Sequence, residues 1–427
     1  MGAFDAEAIV VGGGPAGSAT ASFLARAGLD VLVLDKAHFP RDKPCAEYLS
    51  PQASRVLEEL GALEAVEGAA PARLTGMRVH APNGASFVGE FAGAHGYRGF
   101  RDHGLALRRS ILDALLLDRA RHHGARVIEG AAVTGLLGAQ GRTTGVIMRH
   151  EGRTHEVRGP LVVGADGLRT VVGRRLGLVR HGAWPRRVAV VMHYTGIAGL
   201  GAHGEMHVFN DGYLGLADVG GGVTNVAIVI PGARAHAMRG APDRFADAWI
   251  AAHPSVAGRF GGATRLTAPV VTGPFNQRTR RASAPGVALV GDAADFFDPF
   301  TGEGIYAALR GAELLTPYAF DAVRAKTAAR DVALAAYERC RRTEFAGKWA
   351  VERLVGTAVG FPRLFSRAAS VLASRRDMAD LFVGVTGDFV PGRQVLRPRY
   401  LLRLLLGSTR SGDARQAARS TTSSSVS

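Results

Sequence analysis

Residues able to do chemistry fall into three groups in this 427-residue sequence. In the first, Gly12-Gly13-Gly14-Pro15-Ala16-Gly17 directly follows the apolar run Ala8-Ile9-Val10-Val11 and opens a helical pattern running to about Ala27. Gly12 permits the tight turn, Gly14 lets a pyrophosphate reach the backbone, and Gly17 lets strand and helix pack closely. Pro15 and Ala16 begin the helix, whose free N–H groups and positive end favour phosphate. A second strand, Val31 to Leu34, delivers Asp35, a carboxylate that can accept both hydroxyls of an adenosine ribose and disfavours a 2′-phosphate. The chemistry is dinucleotide binding, with FAD or NAD rather than NADP resident. Lys36, beside that acid, is a further candidate contact, as is Val133.

The second group separates FAD from NAD. Leu161-Val162-Val163 precedes Gly164-Ala165-Asp166-Gly167, and Val287 to Val290 precedes Gly291-Asp292-Ala293-Ala294. Each places an acid just past a strand, where polyol hydroxyls can be held. The latter continues through Pro299 and Thr301-Gly302-Glu303-Gly304-Ile305 into a helix expected to reach about Leu315, a second helix start that can receive flavin or phosphate oxygen. The third group is the loop Pro40-Arg41-Asp42-Lys43-Pro44-Cys45-Ala46-Glu47-Tyr48.

On GGGPAG at 12–17, the acid at 35, Arg109 within RRSILD at 108–113, GADG at 164–167 and GDAADFFDPFTGEGI at 291–305, the sequence resembles the FAD-dependent oxidoreductases of the para-hydroxybenzoate hydroxylase fold. That group contains aromatic hydroxylases, geranylgeranyl reductases and flavin-dependent halogenases. The resemblance covers about residues 5–330. It implies that Asp292 binds the ribityl or pyrophosphate part of FAD and that Arg109 contacts the cofactor, with Gly291, Pro299, Gly302, Glu303, Gly304 and Ile305 around the flavin. Asp166 either touches the cofactor or braces its turn. Arg41 is a candidate anchor for a nicotinamide phosphate or a flavin carbonyl.

The elements that must position these groups are strands and helices of a dinucleotide-binding α/β domain of the glutathione-reductase type, assembled from residues 1–73, 101–180 and 281–330. Residues 74–100 and 181–280 contain β-like runs, including Arg187 to Tyr194, Glu205 to Phe209, Tyr213 to Ala217 and Thr224 to Ile230, broken by glycines and prolines. They are expected to form an antiparallel substrate sheet over the flavin, with a pocket at the domain junction. Met192, Tyr194, Met206, Phe209, Tyr213, Leu216, Phe296 and Phe297 are its candidate walls and favour an apolar or aromatic small-molecule substrate. Residues 331–407 read as a helical region and 408–427 as a disordered tail.

Composition bounds the rest. Hydrophobic residues make up 47% and charged residues 21%, as in an ordinary globular enzyme. Cys45 and Cys340 are too few for a disulfide framework or a cysteine zinc site, and no metal is expected. The formal charge of +15 is spread along the chain without a nucleic-acid motif, so nucleic acid is not an expected partner. No apolar run approaches the roughly 20 residues of a membrane span. The N-terminus reaches a strand without a secretory pattern, and the expected location is the cytoplasm. Leucines and arginines in QVLRPRYLLRLLL, residues 394–406, fit a basic lid or peripheral contact with an anionic lipid surface, and Pro398 argues against one long helix there.

For the reaction, GEGI at 302–305 and the cysteine-containing loop lean toward the geranylgeranyl reductase-like branch, although Ala46 and Glu47 replace that branch's usual glycines and GYLGLADV at 212–219 lacks its tryptophan. The expected activity is flavin-mediated reduction of a double bond in secondary or isoprenoid metabolism, with Cys45, Glu47 and Tyr48 as candidate proton donors. A monooxygenase using NAD(P)H and dioxygen is the alternative, and a halogenase stands lower because the WxWxI pattern is absent. With no second GxGxxG unit, NADPH or NADH binds transiently, or a partner reductase supplies electrons.

Overall fold

The computed structural model describes residues 5–139, 141–325 and 327–407. Ala8–Val11 lies at the middle of a six-stranded sheet, between Val31–Leu34 and Leu161–Gly164, and Arg126–Ile128 and Val287–Leu289 extend it on either side. These five strands run parallel, and only the short Ser283–Ala284 hairpin strand at the edge is antiparallel. Ala8–Val11, Val31–Leu34 and Leu161–Gly164 are buried at every position, which is why they read as continuous apolar runs without alternation.

The helix Pro15–Arg26 packs in the same core as the helix Gly304–Arg324. The latter runs nine residues past the expected end at Leu315 and through Pro317, because Ala319, Ala322 and Val323 keep its apolar face in the core.

A second sheet of eight strands includes Gly76–His80, Ser86–Glu90, Arg187–Thr195, His203–Phe209, Gly212–Asp218 and Val223–Pro231. It is not wholly antiparallel as expected: His203–Phe209 pairs in parallel with Gly76–His80. The chain leaves the 76–90 hairpin, builds much of the first domain and returns at residue 187, and a crossover of that length permits parallel pairing.

Strand alternation gives this sheet two different faces. Val190, Met192, Leu214, Leu216 and Ile228 share a cluster with Trp249 of the helix Pro242–Ala251, while Ala189, Val191, Met206, Tyr213 and Val229 pack on the other side.

The helix Thr327–Ala358 starts before the boundary expected between residues 330 and 331, so that boundary falls inside a continuous helix. Helices Pro362–Ser374 and Arg376–Thr386 follow and pack near the strand Ser86–Glu90. In the helix Pro398–Leu406, Pro398 occupies the first turn, where its missing N–H is harmless, instead of breaking a longer helix. Tyr400 anchors it by donating to the Met378 carbonyl (2.9 Å), and Arg367 donates to the carbonyl of Leu405 (3.1 Å). Leu402 and Leu406 remain exposed. The tail expected at 408–427 lies outside the described residues. No described helix is long and apolar enough to cross a membrane.

Candidate active site

The glycine turn is held by close backbone contacts. Gly12 has φ +103°, and a Cβ there would meet the Ala165 carbonyl at 2.6 Å; a Cβ at Gly17 would overlap the Gly12 carbonyl. Asp35 secures the turn from the adjacent strand, accepting from the Gly13 N–H (2.6 Å) and the Ala37 N–H (2.8 Å).

Gly14 faces cations. A Cβ at that position would lie 3.5 Å from Arg41 Nη2 and 3.7 Å from Arg109 Nη2. Both guanidiniums are gripped by Asp113, which is wholly buried: Arg109 makes a two-pronged contact (2.7 and 2.8 Å) and Arg41 pairs at 2.8 Å. Sequence reasoning missed Asp113, although its four-residue spacing from Arg109 inside RRSILD was a usable signal.

Lys43 is the third cation. Burial pushes its ammonium pKa down, and Arg109 and Arg41 add to that, partly opposed by Asp292. Asp292 in turn is pushed up by burial, with Lys43 and Arg109 pulling it back. Three cations against Asp113 and Asp292 beside a glycine turn fit an anionic pyrophosphate, so Gly14, Arg41, Arg109 and Lys43 would hold that part of FAD.

A single cavity connects this turn to the second sheet. It is bordered by Gly14, Pro15 and Ala16, then by Cys45 and Arg109, and on the opposite side by Gly291, Asp292 and Pro299 through Ile305 except Phe300. The two turns meet closely: a Cβ on Gly291, at φ +62°, would sit 2.9 Å from Ala16 Cβ. The remaining candidates stand elsewhere. Gly12 and Gly17 lie behind the turn, Lys36 is exposed, and Val133 is half-buried in the hairpin strand Ala132–Ala139. Asp166 braces the short helix Val171–Arg175, accepting from Val171 N–H at 2.5 Å, while burial raises its pKa.

Cys45 is half-buried on the cavity wall, within hydrogen-bonding reach of Arg109. Glu47 is 1% exposed and takes a left-handed φ of +60°. Its Oε1 accepts from the Arg109 N–H (2.8 Å), and its Oε2 contacts His193 Nε2 (2.8 Å) and accepts from Asn225 Nδ2 (2.9 Å). Both carboxylate oxygens are therefore engaged in tying the 40–48 loop to the helix Arg109–His122 and the second sheet. Asn225 also donates to the Cys45 carbonyl (2.9 Å). The Tyr48 ring stacks on Phe91 and its hydroxyl points at the Thr386 carbonyl, outside the cavity lining; burial raises the phenol well above its ordinary range.

Of the wall candidates, Met206, Tyr213, Phe296 and Phe297 border the cavity. Met192, Tyr194, Phe209 and Leu216 do not. They project to the other face, where Tyr194 meets Phe260 and Phe209 meets Trp249 edge-on. The sequence reading mixed both faces of alternating strands. Tyr213 also donates to Asp298 (2.9 Å), which pairs with Arg187 (2.5 Å), and Arg187 reaches the Gly356 carbonyl (2.7 Å). This buried network joins sheet, loop and C-terminal helix.

On the sheet's far side, His80, Glu205 and His207 bring candidate metal-ligating atoms within 4.8 Å of one another. Arg259 already pairs with Glu205, and the two imidazoles lie stacked at 4.3 Å, which reads as an ion-pair network.

The chain matches the FAD binding domain family over residues 5–348. It is 30% identical to a digeranylgeranylglycerophospholipid reductase of Methanosarcina mazei, over 75% of this chain and 76% of that protein. It is 31% identical to a menaquinone reductase of Mycobacterium tuberculosis, over 70% of this chain and 73% of that protein. Its fold is shared with a geranylgeranyl bacteriochlorophyll reductase-like protein of Thermoplasma acidophilum (TM-score 0.70, 22% identity, 94% and 96% of the two chains). It is also shared with the flavin-dependent halogenase CmlS (TM-score 0.73, 22% identity, 98% and 70%). With the pyrophosphate cradle, the joined cavity and the family match in agreement, the chain belongs to the FAD binding domain family and is an FAD-dependent oxidoreductase.

Proposed function

We propose that this protein reduces a carbon–carbon double bond in an apolar, isoprenoid-type molecule. The observation that carries the reading is the continuation of the cavity from the FAD-binding turns along the inner face of the second sheet. There it is floored by Ala189, Val191, Gly215, Ala227 and Val229. Small side chains on alternate positions leave room for an extended chain, and an apolar lining favours hydrocarbon over a sugar or zwitterion. The named relatives act on molecules of this kind, which supports the same substrate class here.

Bound FAD supplies hydride. The protein's own residues would hold the cofactor at Gly14, Arg41, Arg109, Lys43 and Asp292, and Phe296, Phe297 and Tyr213 would exclude water from the reacting bond. Cys45 lies against the same space, where it would meet the substrate or the cofactor edge. A nicotinamide dinucleotide or a separate reductase restores the electrons. The test is anaerobic incubation with an isoprenoid quinone or a geranylgeranylated glycerophospholipid, dithionite serving as electron source. Mass spectrometry with fragmentation should find two hydrogens gained in the prenyl chain per bond reduced, apart from the two that dithionite itself adds to a quinone ring. Unchanged substrate across both classes would refute the reading.

A further inference from the structure

The region of the cavity beside Glu303 contains a buried group of acids that cofactor binding does not explain. Glu303 is 4% exposed, and neither carboxylate oxygen has a hydrogen bond of good geometry; Lys348 Nζ stands 2.9 Å from Oε2. Lys348, on the helix Thr327–Ala358, also pairs with Asp388, which follows the helix Arg376–Thr386. One turn beyond Lys348, Glu352 borders the cavity with Trp349 and comes within hydrogen-bonding reach of Glu303. Two carboxyl groups can bond to each other only if one carries a proton.

The charge count points the same way. Glu303, Glu352 and Asp388 share one ammonium, Lys348, and Arg353 on the same helix as Glu352 also favours its ionised form. Tyr306 lies under Lys348, its ring centroid 5.0 Å from Nζ, and Ser50 bonds Asp388. Burial, with Asp388 adding to it, lifts Glu352 to about 7 against the pull of Lys348 and its bond to Glu303. Burial also raises Glu303 well above the carboxylate range.

We propose that Glu352, sharing a proton with Glu303, is the catalytic acid of this cavity and protonates the carbon next to the one that receives hydride. This rests on the double-bond reduction proposed above. The substrate π bond, the Glu352 O–H bond and the bond that held the hydride on the reduced cofactor break, two C–H bonds form, the cofactor is left oxidised by two electrons, and the nicotinamide or partner reductase restores it. Glu352, itself only partly buried, regains a proton from solvent.

The test uses FAD-loaded wild type, Glu352→Gln and Lys348→Met. Infrared spectra should show a protonated-carboxyl band that titrates away near pH 7, is missing in Glu352→Gln, and persists to higher pH in Lys348→Met, where the ammonium no longer favours ionisation. Turnover of Glu352→Gln should fall roughly 10²–10⁴-fold, the range of general-acid catalysis, with FAD still bound. An unchanged band or wild-type turnover in Glu352→Gln would overturn the assignment. If wild type reduces no double bond while the band titrates as described, the reduction reading fails and the shared proton stands without a catalytic role. Glu352→Asp should restore part of the turnover if Glu352→Gln is impaired by lost acidity and none if it is misfolded.

Discussion

Asp113 shows how a site can depend on a residue that touches no ligand. It is wholly buried and holds Arg109 and Arg41 at the edge of Gly14, so it sets where the cations stand. Replacing Arg41 by Met leaves Asp113 its two-pronged partner Arg109, so the fold should persist while FAD loses one charged contact. A hydrogen bond to a charged group is worth about 1.5–3 kcal/mol, which predicts FAD affinity weaker by roughly 10–100-fold. Fluorescence titration of the apoprotein with FAD checks this, and an unchanged Kd would remove Arg41 from the cradle. The glycine turn and Asp35 were legible in the sequence because their chemistry is local and its spacing fixed. Glu47 was not. Its partners His193 and Asn225 lie far along the chain on neighbouring strands, and nothing in PCAEYL announces a left-handed backbone or a doubly engaged carboxylate. Glu352 was hidden for a different reason: a Lys–Glu pair four residues apart usually marks a solvated helix face, and only packing shows this one bordering a cavity.

Among the elements, the second sheet has the clearest division of labour. Its strands were legible as β-structure from their apolar runs, but the face of each residue depends on register, and a one-residue difference exchanges cavity for core. Ala227 lies on the cavity face. Ala227→Phe should fill the channel, raise KM for a long-chain substrate at least several-fold and leave FAD content unchanged, as steady-state kinetics and flavin absorbance would show. The Arg187–Asp298–Tyr213 network joins this sheet to the 295–301 loop and the helix Thr327–Ala358. Arg187→Met would leave Asp298 buried with the Tyr213 hydroxyl and the Phe300 N–H but without its cation. Breaking such a pair costs about 3–5 kcal/mol, so the urea midpoint should fall by a corresponding amount. A shift within error would mean that the network is not buried as described.

At the scale of the whole molecule, the cavity is built by three stretches distant in sequence: the dinucleotide turns, the second sheet and the helix after residue 327. The first two were legible from motif and periodicity. The third was not, because its contribution comes from where the helix packs. Its acids also tie stability to pH. Glu352 is raised from an ordinary 4.5 to about 7 in the folded protein, so its contribution is fully present below about pH 4.5 and is lost as pH rises through about 7. Glu352→Gln should flatten the stability profile within that window, measured by urea unfolding at several pH values. An unchanged slope would show that Glu352 does not titrate there.

The most direct test of double-bond reduction is a single turnover without oxygen. FAD-loaded protein, reduced beforehand and freed of excess reductant, is mixed under argon with a geranylgeranylated glycerophospholipid, which has no quinone ring to oxidise the flavin directly, while the flavin absorbance is followed. The oxidised flavin spectrum should return in the absence of oxygen, with one double bond saturated per FAD. Flavin that stays reduced until oxygen is admitted, followed by a product bearing an added oxygen atom, would contradict double-bond reduction and identify a monooxygenase.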